Sequence, residues 1–408
     1  MRLGFDEIQK EINTVAMSSK NIIALADCDS FFVSCEQAVN PDLKAKPVCV
    51  ITGLNGCVVS RSKEAKKMGI RMGMPYFMAK KNFPKAIYPV ARHDLYEEFS
   101  QKVMAVLKEF SPKVEVYSID EAFVELTGLE RLYKKNYVQI AQFLRDEVMK
   151  RVDIPISVGI SSSKTLAKLA SDKAKNMECG VYQIHKREIT EVLEHTEISE
   201  IWGIGRSLTL MFHKNGILNA YELVSQTDLW LDKKTGIRGI EMKHELLGEM
   251  ISPVDTTVKM PKSIQNTGML SKFSSDKNFL KNSLNYHIHC ACKRLRKYDA
   301  KCTCVTLMLK TKDFKSCYEK RALAKPASFE LEISAVIFEL LDKIYDENIL
   351  YRSTGVILEG IVHNSETQLF LFADKNDEKR NKLEKCFDKL EQKFGKNIIR
   401  TGFSPPDD

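Results

Sequence analysis

The sequence predicts an α+β protein of several domains, with a mixed α/β first half, a helical middle and a small α/β unit near its end. Strand-like apolar runs alternate with helical patterns from residue 21 to about residue 180, as expected for helices packed on a sheet. After Gly180 the pattern changes to short helices. Strands and helices return beyond Ser252 and Pro253. A chain of 408 residues is long enough for two to four domains.

Each element of the first half follows from a local pattern. Residues 21–26 form an apolar run that ends at Asp27 and predicts a buried strand. Residues 95–110 repeat apolar side chains at helical spacing, and Ser111 and Pro112 end this predicted helix. The other predictions here are strands at 47–51, 58–60, 113–117, 122–126 and 154–160 and helices at 30–38, 63–68 and 137–149. Residues 1–20 predict a short amphipathic extension, one helix long.

The second half is predicted in the same way. Short helices are expected between residues 189 and 248, and Ser252 and Pro253 predict a linker. A strand at 302–310, a helix at 330–345 and a strand at 355–362 then predict the small α/β unit. A charged helix is expected at 378–394.

Charge and cysteine usage narrow the class of protein. The net charge is +8, and residues 255–359 hold 18 Lys and Arg against 12 Asp and Glu, which suggests a polyanionic partner. The alternative is a solvated, lysine-rich surface. No run approaches the ~20 apolar residues of a membrane helix, so no membrane partner is expected. The eleven cysteines lack the paired C-x-x-C spacing of a zinc site, and with no visible secretory signal they predict a cytoplasmic protein.

Two pairs of acidic residues are candidate metal ligands. Asp27 and Asp29 end a buried strand, and Asp120 and Glu121 occupy the tight connection between two predicted strands. Unpaired buried charge is unfavourable, so a compensating cation is expected. Mg²⁺ prefers carboxylate and phosphate oxygens, and two such ions can activate an attacking oxygen and stabilise a leaving phosphate. The alternative is that these acids cap turns or pair with lysines.

Two motifs carry a family resemblance. Residues 27–32 (DCDSFF) and 118–123 (SIDEAF) resemble the catalytic motifs of Y-family DNA polymerases, and the likeness continues through 56–73 and 159–175, most closely to UmuC-like members. It implies a right-hand polymerase with palm, fingers, helical thumb and α/β little finger. The implied parts are an extension (1–20), palm (21–38 and 96–185), fingers (39–95), thumb (186–250), little finger (255–365) and tail (366–408).

The resemblance also implies the metal site. Two Mg²⁺ ions would be held by the carboxylates of Asp27, Asp120 and Glu121 and by the backbone carbonyl of Cys28. Asp29 matches the second acid of the family motif, which is usually structural. The implied reaction is in-line attack of a primer 3′-hydroxyl on the α-phosphate of a dNTP.

A further set of residues is implied to contact the nucleotide. Phe32 matches the steric gate, an aromatic ring that would clash with a ribose 2′-hydroxyl; the alternative is that Phe31 and Phe32 only pack in the core. Where many relatives have a tyrosine and an arginine, this chain has Lys63 and Lys66, so a bidentate arginine grip is not expected. The implied nucleotide-binding residues are Ser30, Phe31, Phe32, Ser60, Lys66 and Lys175.

Gly203, Ile204, Gly205 and Arg206 precede an amphipathic helix that ends at Gly216. This segment resembles a helix-hairpin-helix, in which a glycine-rich turn offers backbone N–H groups to a DNA phosphate. Glycine allows the close approach because it has no Cβ. The alternative is an ordinary turn between two helices.

The tail contains a short apolar peptide in a polar context. Gln368, Leu369, Leu371 and Phe372 resemble the peptide that docks into the hydrophobic pocket of the bacterial sliding clamp. The alternative is a terminal strand packed on the small domain. The implied partners are therefore primer–template DNA, dNTP and the sliding clamp, and a UmuD-like accessory subunit is a further candidate.

The leading hypothesis is a low-fidelity DNA polymerase that copies damaged templates in repair and the SOS response. A second hypothesis is another palm-type enzyme, such as a nucleotidyl cyclase, which the helix-hairpin-helix and the clamp-like peptide argue against. A third is a DNA-damage recruitment subunit without polymerase activity. That subunit would be expected to have lost its carboxylates, and all three are present.

Overall fold

The computed structural model describes residues 7–8, 21–257 and 259–364, and four helical residue pairs between 382 and 394. It divides into two compact units, Met1–Thr257 and Val258–Asp408. Within the described residues, no helix is both long and apolar enough to cross a membrane.

The described part of the first unit alternates strands and helices before becoming helical. Its strands are β1 (Ile23–Cys28), β2 (Cys49–Ile51), β3 (Val58–Arg61), β4 (Val114–Val116), β5 (Glu121–Glu125), β6 (Ile156–Ser161) and β7 (Val181–Gln183). Its helices are α1 (Phe31–Val39), α2 (Lys63–Lys67), α3 (Tyr76–Asn82), α4 (His93–Phe110), α5 (Leu129–Tyr133), α6 (Tyr137–Val152), α7 (Lys164–Ala174), α8 (Ile189–Glu194), α9 (Arg206–Lys214), α10 (Ala220–Val224), α11 (Asp228–Thr235) and α12 (Ile237–Leu246).

A five-stranded sheet forms the centre of this unit, in the order β4-β5-β1-β6-β7. Its neighbouring strands are antiparallel except for β6 and β7, which run parallel. The central strand β1 is buried on both faces. Ala24 and Ala26 pack into the core shared with α4 and α6, whereas Ile23 and Leu25 cluster with Ala167 of α7. This two-sided burial explains the continuous apolar run in the sequence.

Helix α7 lies very close to β6. A Cβ added to Gly159 of β6 would stand 1.9 Å from the backbone nitrogen of Ser171 and 2.3 Å from the carbonyl oxygen of Ala167. Glycine at this position therefore lets the helix backbone approach the sheet backbone.

Two smaller cores complete the first unit. The antiparallel pair β2–β3 packs with α2 and α3 around Ile51, Val58 and Ile70. Helices α8 to α12 share another core with Leu166, Leu169 and Ala170 of α7, and Ile8 from the N-terminal extension is buried in it.

A buried carboxylate fastens the helical part to α7. Glu245 of α12 accepts the backbone N–H of Thr165 at 3.1 Å and those of Ile251 and Ser252 at 3.0 Å each. The chain therefore leaves the first unit from a fixed point beside the start of α7.

The second unit is a four-stranded sheet with two helices packed on one face. Its described elements are β8 (Ser263–Ser274), α13 (Lys277–Lys297), β9 (Ala300–Thr311), β10 (Ser316–Ala327), α14 (Glu330–Ile344) and β11 (Tyr351–His363). The strand order is β10-β9-β11-β8, with antiparallel neighbours. Leu284 of α13, Ile337 of α14 and Leu307 of β9 lie in one common core.

The predicted α+β class and the predicted strands and helices of the first half are confirmed, with ends that shift by a few residues. The predictions at 302–310, 330–345 and 355–362 are confirmed as β9, α14 and β11. The sequence analysis missed β8, α13 and β10. Of the predicted helix at 378–394, the described pairs 382–383, 386–387, 389–390 and 393–394 are helical. Of the predicted extension, only residues 7–8 are described, and both are helical.

The approach of α7 to β6 generates a stability prediction. Gly159→Ala should lower the free energy of unfolding by about 2 kcal/mol or more, because the added Cβ meets backbone atoms that cannot move aside cheaply. Gly205→Ala is the matched control, since its Cβ would have no neighbour within 4 Å. Urea denaturation of both variants measures the difference, and equal stabilities would contradict the close packing.

Candidate active site

The acidic residues of the two motifs meet at one end of the five-stranded sheet. Asp27 of β1 lies directly opposite Glu121 of β5 in the antiparallel register. Side chains alternate along a strand, so Asp27 points to the same face as Ile23 and Leu25, the face covered by α7. Asp27 is only 6% exposed.

Helix α7 and the residue that ends it supply a lysine to each of three carboxylates on that face. Lys164 Nζ lies 2.5 Å from Glu115 on β4, Lys168 Nζ lies 2.6 Å from Glu121 on β5, and Lys175 Nζ lies 2.8 Å from Asp27 on β1; we call these three pairs the lysine ladder. The helical spacing of four and then seven residues keeps the three lysines on one side. The sequence-based alternative that the acids pair with lysines is thus realised at Asp27 and Glu121.

The electrostatics of Asp27 are dominated by burial. Burial raises the pKa of Asp27 to about 7, Lys175 opposes this rise, and the nearby Glu121 carboxylate adds to it. Burial lowers the pKa of Lys175, but the carboxylates of Asp27 and Asp172 outweigh it and raise that pKa overall. A single lysine therefore compensates the buried Asp27 carboxylate incompletely.

Asp120 is held in the turn before β5. The Ser118 hydroxyl donates to Asp120 Oδ1 at 2.5 Å and accepts the backbone N–H of Glu121 at 3.1 Å. The carbonyl oxygen of Asp120 accepts the N–H of Cys28 at 2.9 Å, which ties this turn to the end of β1. Asp29 is bonded elsewhere, since the Ser157 hydroxyl donates to its carboxylate at 2.8 Å.

The donor set suits a hard divalent cation. Among the described residues, no group of three His, Cys, Asp or Glu side chains is close enough to hold a metal ion as they stand. Even so, Asp27 and Glu121 offer carboxylate oxygens, the ligands that Mg²⁺ prefers, and burial leaves Asp27 short of positive charge. A cation bound there would take over the charge compensation that Lys168 and Lys175 now provide.

Phe32 stacks on Tyr96, which is itself fixed by hydrogen bonds. Its ring stacks on Tyr96 with centroids 4.4 Å apart and an interplanar angle of 13°. Tyr96 is fully buried, and its hydroxyl donates to Glu36 at 2.7 Å. Arg92 donates through two nitrogens to the same carboxylate. Burial raises the pKa of Tyr96, so its hydroxyl stays protonated. The hydrogen bond to Glu36 therefore fixes the position of the ring on which Phe32 stacks.

The other predicted nucleotide-binding residues near Phe32 differ in how exposed they are. Ser30 is exposed and adopts a left-handed conformation (φ 47°) at the start of α1. Its carbonyl oxygen accepts the Ser60 hydroxyl at 3.2 Å, so these two residues are brought together. Phe31 is buried in the core of the sheet, so its side chain offers almost no surface to a nucleotide. Lys66 is exposed in the last turn of α2 and has no ion-pair partner among the described residues.

The glycine-rich turn directly follows Trp202, which packs against the segment that carries the acids. Gly203 adopts a φ of +92°, which glycine adopts readily, and Gly205 precedes α9. Ile204 is buried, whereas Gly205 and Arg206 are exposed at the helix start, where the first N–H groups have no helical partner. The indole N–H of neighbouring Trp202 donates to the Tyr117 hydroxyl at 3.2 Å.

Aromatic contacts extend this junction. The rings of Trp202 and Tyr117 meet edge to face with centroids 5.3 Å apart, and Phe123 lies 5.8 Å from Trp202. Tyr117 directly precedes Ser118, so Trp202 contacts the segment that holds Asp120.

Sequence reasoning missed three kinds of supporting residue. Ser118 lies in the motif at 118–123, two residues before Asp120, and Lys168 lies in the segment at 159–175, but neither received a role. Glu36, Arg92 and Tyr96 carried no signal, because their partnership joins positions about sixty residues apart. The predicted clamp-binding residues Gln368, Leu369, Leu371 and Phe372 lie outside the described residues.

Family models match most of this architecture. A model described as the impB/mucB/samB family matches residues 26–172, and one for the C-terminal domain of that family matches residues 261–371. The chain is 31% identical to Protein ImpB of Salmonella typhimurium over 91% of this chain and 90% of that one. It is 30% identical to Protein UmuC of the same species over 93% and 92%. It is 32% identical to DNA polymerase IV of Dehalococcoides mccartyi over 92% and 95%.

Solved structures show the same likeness. A Y-family DNA polymerase chimera of Dbh and Dpo4 is 27% identical with a TM-score of 0.71, over 84% of this chain and 100% of that one. An insertion ternary complex of Dbh DNA polymerase is 26% identical with a TM-score of 0.57, over the same shares.

Proposed function

The chain belongs to the impB/mucB/samB family and is a Y-family, DNA-directed DNA polymerase, and from this premise we propose that it copies damaged DNA templates with low fidelity by two-metal nucleotidyl transfer. Translesion synthesis is the activity that the family implies. We further propose that two Mg²⁺ ions take part, that the protein acts in the SOS response, and that the residues named below have the roles given there.

One observation supports the catalytic assignment most strongly. Asp27 and Glu121 come from distant parts of the sequence and are paired side by side on neighbouring strands, with Asp120 in the adjoining turn. We assign their carboxylates and the carbonyl of Cys28 as ligands of two Mg²⁺ ions. When bound, these ions supply activation of the primer 3′-hydroxyl and charge neutralisation at the triphosphate. Ser118 orients Asp120.

The nucleotide is assigned to the surface beside Phe32. The Phe32 ring, held on Tyr96, serves as the steric gate beneath the incoming deoxyribose. Ser30 and Ser60, already hydrogen-bonded to each other, and the ammonium groups of Lys66 and Lys175 are assigned to the phosphates. Phe31 supports this surface from the core through its packing.

The family resemblance also divides the chain into the parts of a right-hand polymerase. We assign the palm to 21–38 and 96–185, the fingers to 39–95, the thumb to 186–250 and the little finger to 255–365. The exposed N–H groups at Gly205 and Arg206 are assigned to a DNA phosphate, in the manner of a helix-hairpin-helix with Gly203 and Ile204 forming the turn. Primer–template DNA and dNTP are the proposed substrates, and the ternary complex named for Dbh supports this choice.

Recruitment is assigned to the tail at 366–408. Phosphate contacts weaken as salt rises, so a tether would raise the local concentration of polymerase at a primer end. Gln368, Leu369, Leu371 and Phe372 are proposed to bind the bacterial sliding clamp. A UmuD-like accessory subunit is a further candidate partner, suggested by the likeness to UmuC. The alternative of a recruitment subunit without polymerase activity is not favoured.

Removing one assigned ligand should abolish catalysis without loss of DNA binding. Asp120→Asn should lower nucleotide incorporation with Mg²⁺ by at least about a hundredfold, because metal-ion stabilisation of the transition state amounts to several kcal/mol. The affinity for primer–template DNA should change little. Asp153→Asn is the control, since it removes an equal charge at an exposed ion pair with Lys44. Near-normal incorporation by Asp120→Asn would rule out the metal assignment.

The sugar gate makes a separate prediction. Phe32→Ala should raise ribonucleotide incorporation relative to deoxyribonucleotide by about tenfold or more, because the ring no longer clashes with the 2′-hydroxyl. Phe32→Tyr keeps a ring and should keep most of the discrimination. Single-nucleotide incorporation with paired rNTP and dNTP measures the ratio. Unchanged discrimination in Phe32→Ala would leave Phe32 a packing residue only.

The clamp assignment is tested by changing its anchors. Replacing Leu371 and Phe372 by Ala should weaken clamp binding by about 2 kcal/mol or more, because such interfaces concentrate their energy in a few apolar side chains. Basal extension of a short primer should survive, while stimulation by loaded clamp should be lost. Phe370→Ala, in the same peptide but not among the anchors, is the control. Full stimulation of the double variant would refute the recruitment assignment.

A further inference from the structure

Two exposed phenylalanine rings stand at one end of the sheet in the second unit. Phe314 lies in the turn between β9 and β10 and is 65% exposed, and Phe273 near the end of β8 is 46% exposed. Neither belongs to the core of that unit. Large apolar side chains exposed together commonly mark an interaction site.

Cationic side chains surround both rings. The guanidinium of Arg352 lies 3.7 Å from the centroid of Phe314 and 5.9 Å from that of Phe273. Lys310 lies 5.4 Å from Phe314, and Lys312 lies 6.0 Å from Phe273. We call these five residues the aromatic–cation cluster. Residues 310–315 contain three lysines and one aspartate, so the surface favours an anionic partner.

The backbone at Phe314 is unusual for such a large residue. Its φ is +66°, in the left-handed region that favours glycine and that bulky side chains rarely adopt. If the turn required only this backbone conformation, glycine would suit the position better than phenylalanine. The ring is thus presented to solvent at a conformational cost, and the cost points to a use for its outer face.

We propose that the aromatic–cation cluster binds single-stranded DNA, with unpaired bases stacking on Phe314 and Phe273 and phosphates neutralised by Arg352, Lys310 and Lys312. Aromatic rings interleaved with cations suit this ligand, since every base has a face to stack and every linkage carries a charge. The Arg352 guanidinium lies over the Phe314 ring, and Phe314 as a whole remains 65% exposed, which leaves surface for a base. The choice of DNA rests on the proposed function, because a polymerase works on partly unpaired template.

The test measures binding and not incorporation, so it can fail independently of the proposed function. The full chain is titrated into a labelled dT12 oligonucleotide and into a blunt duplex, without nucleotide, at several salt concentrations. Phe314→Gly should weaken dT12 binding about tenfold, in line with the loss of one stacked base. The salt dependence should stay the same, because no charge is lost. Thermal stability should be maintained, because glycine suits a φ of +66°.

Three further measurements decide between a stacking site and a structural contact. Phe314→Trp keeps a stacking surface and should bind dT12 at least as well as the parent. Lys312→Gln should weaken binding and reduce the salt slope by about one. Leu331→Ala, an exposed apolar residue on α14 of the same unit, should have no effect. Unchanged dT12 binding by Phe314→Gly, or an equal loss on the blunt duplex, would overturn the proposal.

Discussion

The charge balance between the central sheet and α7 is the constraint on which the first unit depends. Carboxylates at the ends of buried strands are tolerable only beside a positive charge, and the lysine ladder supplies three of them from one helix face. The ladder needs α7 close to β6, and Gly159 permits that approach. Packing and charge compensation therefore specify the same position for one helix. The paired lysines therefore allow Asp27 and Glu121 to lie below the surface.

The surroundings of the acids are built from contacts between distant segments. The stack of Phe32 on Tyr96 is supported by a carboxylate from α1 and a guanidinium next to α4, so the position of one ring depends on two helices. On the other side, Glu245 and Trp202 attach the helical part to the start of α7 and to the strand before Ser118. Polar groups that each bridge two elements therefore hold the surroundings of the candidate site in place.

The sequence predicted elements according to how deeply they are buried. In the second unit, it revealed the central strands β9 and β11, whose apolar runs are continuous, and missed the edge strands β8 and β10, whose exposed positions break the pattern. Helix α13 was missed because lysine, asparagine and histidine residues interrupt its apolar pattern, including the buried His287. The acids could be found because charge at the end of a buried strand is conspicuous. The pairing of individual lysines with these acids could not be predicted, because it depends on how α7 docks.

The contact between Trp202 and Tyr117 gives the molecule an internal reporter. The chain has two tryptophans, and Trp230 lies on α11 beside Phe212 of α9. Trp202 alone touches the strand segment next to the acids, through its indole N–H and the edge of its ring. Because indole emission is sensitive to hydrogen bonding and to nearby phenols, intrinsic fluorescence of the unlabelled protein would follow any separation of the helical part from the five-stranded sheet in real time.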